Sequence, residues 1–99
     1  MNKDFTASYY IGCNDKDKHK QLMLTSTILD KINRILQAYN ITSFTIKECT
    51  GIYKKELEHT IEIMLLNNTL DKVIIDSLKQ ELNQECIMEV ITDCNVKFI

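Results

Sequence analysis

An α+β sandwich with the element order β-α-β-β-α-β is the fold class this chain predicts, and three observations carry it. Apolar residues alternate with period two in three stretches, the mark of strands with one buried face, and the last fifteen residues are strand-like as well. They recur every three or four residues in two other stretches, the spacing of helices packed on one side. The helical stretches separate strand one from strand two and strand three from strand four, which leaves the middle pair to form a hairpin.

Along the first strand, Asp4 to Cys13, the residues Phe5, Ala7, Tyr9, Ile11 and Cys13 share one side, and Thr6, Ser8, Tyr10 and Gly12 the other. The aromatic residues suit a pleated, half-buried surface. Asn14 to Lys20, NDKDKHK, is a polar connection expected to run into a helix, with Asp15 or Asp17 capping its first amides. Between Leu22 and Tyr39 an apolar stripe of Leu24, Ile28, Ile32, Ile35, Leu36 and Tyr39 predicts the first helix. Asn40 suits its end because asparagine tolerates the left-handed conformation.

The second and third strands occupy Phe44 to Leu66. Phe44, Ile46, Thr50 and Ile52 alternate with Thr45, Lys47, Cys49, Gly51 and Tyr53, and Glu48 is the one charge on the apolar side. Lys54 to Glu56 makes the turn. Leu57, His59, Ile61, Ile63 and Leu65 then form a core side, opposite Glu58, Thr60, Glu62, Met64 and Leu66. Leu70, Val73, Ile74, Leu78 and Leu82 predict a second helix, with Asp71 in its first turn to suit the dipole. Glu85 to Ile99 is strand-like and long, with a bend, bulge or break expected at Thr92 to Asn95 and either face open to burial. Right-handed crossovers and an antiparallel hairpin together favour the ferredoxin-like sandwich, strand order 4-1-3-2, with both helices on one face.

A chain of 99 residues supports a single domain, 1–99, around one modest core. At 44% hydrophobic and 26% charged it lies in the globular range. The net charge of -2 argues against general nucleic-acid binding, which calls for an excess of Lys and Arg. No apolar run approaches the roughly 18 residues of a membrane span, and MNKDFTAS lacks a signal-peptide core, so a cytoplasmic location is expected. Cys13, Cys49, Cys86 and Cys94 form no CxxC pair and are read as free thiols.

The segments TGIYKKELEHTIEI and LKQELNQECIMEV, with Tyr10-Ile11-Gly12 in the first strand, resemble an uncharacterised family of short phage-type proteins. The points of match are Tyr10 to Gly12, Thr50-Gly51, Tyr53-Lys54, Glu56 and Asn83-Gln84-Glu85. The resemblance implies a phage setting, and with it the host cytoplasm, and the same sandwich, but assigns no catalytic residue.

In this topology the ends of strands one and two and the starts of strands three and four meet at one sheet edge. That edge gathers the candidate ligand-binding residues Tyr10, Gly12, Lys16, Lys18, Lys20, Gly51, Tyr53, Lys54, Lys55 and His59. Lysines beside a helix N-terminus attract anions, and a tyrosine can stack on a base. The blander reading has solvated loop lysines and glycines that ease turns, and no phosphate-loop spacing is present. Cys13, His19, His59 and Cys86 have the residue types of a zinc site but not its spacings, so no metal and no cofactor is expected. Glu58 and Glu62 stand too far apart along a strand, roughly 13 Å, for an acid and base pair.

The resulting expectation is a non-enzymatic, homo-oligomeric binding protein that captures a small anionic ligand, a nucleotide of a host defence pathway among the candidates. Two alternatives stay open: an interaction module that inhibits a host protein through its open sheet face or a strand edge, and a small enzyme or metal protein.

Overall fold

The structure, a computed structural model, describes residues 3–99. Its elements are β1 (Asp4–Gly12), α1 (Thr25–Ala38), β2 (Thr45–Tyr53), β3 (Glu56–Leu66), α2 (Lys72–Glu81) and β4 (Met88–Cys94). The strands form one antiparallel sheet in the order β2-β3-β1-β4, the ferredoxin-like arrangement expected from the crossovers.

Strand parity decides what is buried. Ala7, Tyr9 and Ile11 of β1 and Ile61, Ile63 and Leu65 of β3 point to the helix side and are buried. Ile28, Ile32 and Leu36 of α1 and Ile74 and Leu78 of α2, each four residues apart, close the core from above. Removing one of these side chains down to Ala costs about 2–5 kcal/mol, because a close-packed interior refills the space only in part.

Both helices end alike. Asn40 (φ 63°) and Asn83 (φ 49°) take the left-handed position one residue past the C-cap. The next amides, of Ile41 and Gln84, reach back to the carbonyls of Leu36 and Lys79 at 2.9 Å each. This is the Schellman closure, and asparagine serves it because its side chain tolerates αL.

Several details depart from the sequence reading. Helix α1 starts at Thr25 with Leu24 at its N-cap and no side-chain cap. Asp15 and Asp17 do not cap it, because Asp15 closes its own turn, accepting the Asp17 and Lys18 amides at 3.0 Å each. Leu24 is 74% exposed and Tyr39 41% exposed, so neither belongs to the buried stripe. Asp71 is the N-cap of α2, accepting from the Ile74 amide, and Val73 lies outside the core. Ile52 and Leu57, which carry core parity, are exposed because the β2–β3 hairpin runs beyond the helices. In β4 neither face is buried: Val90 and Ile91 are partly covered at 37% and 48% exposed, and Cys94 is the least exposed residue of the strand.

One polar link crosses the core. The Tyr9 hydroxyl donates to Glu89 Oε2 on β4 at 2.6 Å and accepts the Leu70 amide, just ahead of α2, at 2.8 Å. Burial, with the Glu89 carboxylate beside it, pushes the Tyr9 phenol up to about 12.

Candidate functional site

The sheet face away from the helices carries a groove of about 720 Å³ at the edge where β1 and β2 end and β3 and β4 begin. That volume falls within the range of small-molecule sites. Its floor is set by two glycines. In the ladders Gly12 faces Thr60 and Gly51 faces Glu58, so the Glu58 and Thr60 side chains stand on β3 between two bare backbone positions. A Cβ on Gly12 would overlap all three atoms of the Glu58 carboxylate group, and one on Gly51 would come within 2.8 Å of Thr60 Oγ1. The glycines are there for space, since neither has a positive φ.

Glu58 is only 9% exposed. Its Oε2 accepts the Asn14 amide at 2.9 Å, and no other hydrogen bond to the carboxylate occurs among the described residues. Oε1 is thus left for whatever enters the groove. At the floor of the groove, this oxygen is placed to accept from a ligand's donor or to face a positive centre. The charge of Glu58 also helps hold the buried Cys13 thiol up at about 11, behind the larger effect of burial itself.

One strand pair and three connecting segments wall the groove. Tyr10 and Met88, paired across β1 and β4, supply a soft apolar side; burial and the nearby Glu62 raise the Tyr10 phenol. The 13–20 loop brings Asn14, Asp15, Lys16 and His19, and the 82–87 loop brings Gln84, Glu85 and Cys86. The hairpin tip brings Tyr53 and Lys54. Although β2 and β4 are the opposite edges of the sheet, this tip reaches the loop before β4. Tyr53 Oη and Lys54 Nζ each lie 3.4 Å from Glu85 Oε2, and the Cys86 sulfur is 4.0 Å from Tyr53 Oη. The Cys86 contact raises the Tyr53 phenol, and Glu85 raises the Lys54 ammonium.

Of the ten residues singled out from sequence, Tyr10, Gly12, Lys16, Gly51, Tyr53 and Lys54 line this groove. Lys18, Lys20, Lys55 and His59 do not. His59 lies on the helix side of the sheet, its Nε2 3.0 Å from Glu48 Oε1. The first turn of α1 is also absent from the lining. Cys13, His19, His59 and Cys86 do not converge: no group of three or more His, Cys, Asp or Glu among the described residues could hold a metal ion. Among the described residues no helix is long and apolar enough to cross a membrane. The four cysteines carry free thiols.

Glu58 is weighed in the sequence only as half of an acid and base pair with Glu62 and is not among the candidate ligand-binding residues. Its parity reads as solvent-facing, and the signal that could have found it is the pairing of that parity with glycines on both flanking strands.

Fold and groove together define a ferredoxin-like sandwich whose open face holds a concavity of ligand size. No protein-family model and no curated protein matches the chain. Among solved structures it is similar to a phage SAM lyase in complex with S-methyl-5'-thioadenosine, at 19% identity and a TM-score of 0.64, over 94% of this chain and 83% of that one. A phage SAM lyase in the apo state is similar at 20% identity and a TM-score of 0.63, over 92% and 81% of the two chains. At these identities the likeness is one of fold.

Proposed function

We propose that the chain binds a small adenosine-type ligand with a sulfonium or thioether sulfur, S-adenosylmethionine or S-methyl-5'-thioadenosine, in the open-face groove. The observation that carries this reading is the buried Glu58 carboxylate beside bare Gly12, with one oxygen free. The groove is lined by four carboxylates, on Asp15, Glu56, Glu58 and Glu85, against the lysines Lys16 and Lys54, and Lys54 is engaged with Glu85. That balance favours a ligand with a positive centre. It moves the reading away from the anionic ligand expected from the lysines, of which Lys18, Lys20 and Lys55 lie outside the lining. Tyr10 and Tyr53 offer π faces to a base, and the Met88 thioether and the glycine floor offer soft, close contact. The solved phage SAM lyase with S-methyl-5'-thioadenosine, alike in fold, supports the same ligand class.

On this reading the phage setting is one in which the chain withholds or consumes an adenosine-type methyl donor or signal in the host cytoplasm. The exposed β4 edge and the exposed tail residues Phe98 and Ile99 favour a second role for a further chain, another copy of this one or a host protein, added to the sheet.

Calorimetry with S-adenosylmethionine, S-methyl-5'-thioadenosine, AMP and a cyclic nucleotide tests the ligand class, with chromatography of each mixture for products. Saturable binding of either sulfur nucleoside supports it, and release of S-methyl-5'-thioadenosine from S-adenosylmethionine extends it to a lyase. Tighter binding of AMP, or no binding by any of the four at millimolar concentration, rules it out.

A further inference from the structure

We infer that Asn83 is a positioning residue for the groove: its side-chain amide, bridging Asp15 and Asp17, holds the 13–20 loop where the Asn14 amide fixes the Glu58 carboxylate. The functional half of this inference rests on the groove being the ligand site proposed above.

Asn83 has two jobs that can be told apart. Its backbone ends α2 in the left-handed position, a role glycine fills at least as well. Its side chain reaches away from the helix. Nδ2 donates to Asp15 Oδ1 at 2.6 Å and to Asp17 Oδ2 at 3.0 Å, and the Asn83 carbonyl accepts the Lys16 amide at 3.2 Å. The bond from Asn83 is the largest cause holding the Asp15 carboxyl below its usual range. One residue on, Gln84 Nε2 donates to the Asn14 carbonyl at 2.7 Å. Asn14 is therefore fixed from both sides, its carbonyl by Gln84 and its amide on Glu58. The chain of contacts runs from α2 through the loop to the carboxylate in the groove.

Asn40 supplies an internal control. It occupies the same position past α1 with a similar φ, yet its side chain makes no hydrogen bond among the described residues. Capping alone does not call for the contacts that Asn83 makes.

The test compares Asn83→Gly with Asn40→Gly. Both keep the left-handed turn, so both should fold; Asn40→Gly should keep the parent's Tm, and Asn83→Gly should lose no more than its two side-chain hydrogen bonds contribute. In Asn83→Gly, hydrogen exchange at the Asn14 and Lys16 amides should accelerate and affinity for S-methyl-5'-thioadenosine should fall about tenfold, the scale of one lost charge-assisted hydrogen bond. Asn40→Gly should change neither. A third variant, Asn83→Asp, places a carboxylate against two others, and its affinity should recover as pH falls and that carboxylate protonates. Parent-like exchange at Asn14 and Lys16 in Asn83→Gly overturns the inference. So does a loss of Tm with exchange accelerated evenly through the molecule, which would make Asn83 a helix cap only. If the parent protein binds neither sulfur nucleoside, the ligand reading fails while the exchange comparison still decides whether Asn83 holds the loop.

Discussion

Gly12 and Glu58 fit one another: the carboxylate of Glu58 occupies the space where a side chain on residue 12 would begin. The pair sits on adjacent strands, with Gly12 facing Thr60 and Glu58 two residues earlier on β3. A residue change at either position therefore reports on the other.

Gly12→Ala should leave the fold intact, because what a methyl would meet is the far end of a flexible side chain. The carboxylate must then swing away and release the Asn14 amide. The expected outcome is a Tm close to that of the parent with ligand binding lost. A crystal structure showing Glu58 unmoved in the variant would contradict this. Gly51→Ala meets the Thr60 hydroxyl and should weaken binding less.

Tyr9→Phe tests the link across the core. The Leu70 amide would lose its only acceptor among the described residues, in a buried position, at a cost of about 1–3 kcal/mol. For a domain of this size that lowers Tm by roughly 4–8 °C per kcal/mol, readable by calorimetry. The pH dependence carries a definite sign. The folded phenol titrates near 12 and the ordinary value is 10.0, so the folded state favours the protonated form. Its contribution is complete below pH 10 and is lost as pH rises towards 12. The parent should lose stability in that window more steeply than Tyr9→Phe does.

Thiol labelling at pH 7.5 should follow exposure. Cys86 is exposed and should react first, whereas Cys13 is buried with its thiol held up at about 11 and should react only on unfolding. Cys49 and Cys86 both line the groove, so S-methyl-5'-thioadenosine should slow their alkylation while leaving Cys94 unchanged. Mass spectrometry of the labelled peptides distinguishes these cases, and equal protection of Cys94 would count against the groove as the binding place.

Glu85→Gln should free the hairpin tip from the loop before β4. The contacts it removes are long and exposed, so Tm should hardly change. Ligand association and dissociation should both become faster, and the parent should approach the variant's rates at high salt. Stopped-flow measurements at two ionic strengths check this; a drop in Tm of several degrees would mean the contact is structural.

Much of the fold was legible because parity is a local property. Tyr9 and Ile11 declare the buried side of β1 and Ile61 and Ile63 that of β3, and the crossover rules then leave few topologies. What periodicity does not contain is where the cover stops. Leu24, Ile52 and Leu57 keep the apolar pattern but lie beyond the reach of the opposing layer. The sheet edge that carries the groove was legible too, through the two glycines and the two tyrosines. Its charge was not. The lysines stand out in the sequence as a cluster, while Asp15, Glu58 and Glu85 come from three separate segments and meet only in the folded molecule.

That assembly has a kinetic consequence. The contacts that fix Glu58 join residues 44 positions apart, and those that fix Asn14 join residues 70 apart. Contacts of such span carry the largest loop-closure cost and follow the local hairpin and helices in time. The groove should thus form only when both crossovers have closed, late in folding. A molecule that occupies it recognises finished chains alone, and should prolong the life of the native state by slowing unfolding without hastening folding.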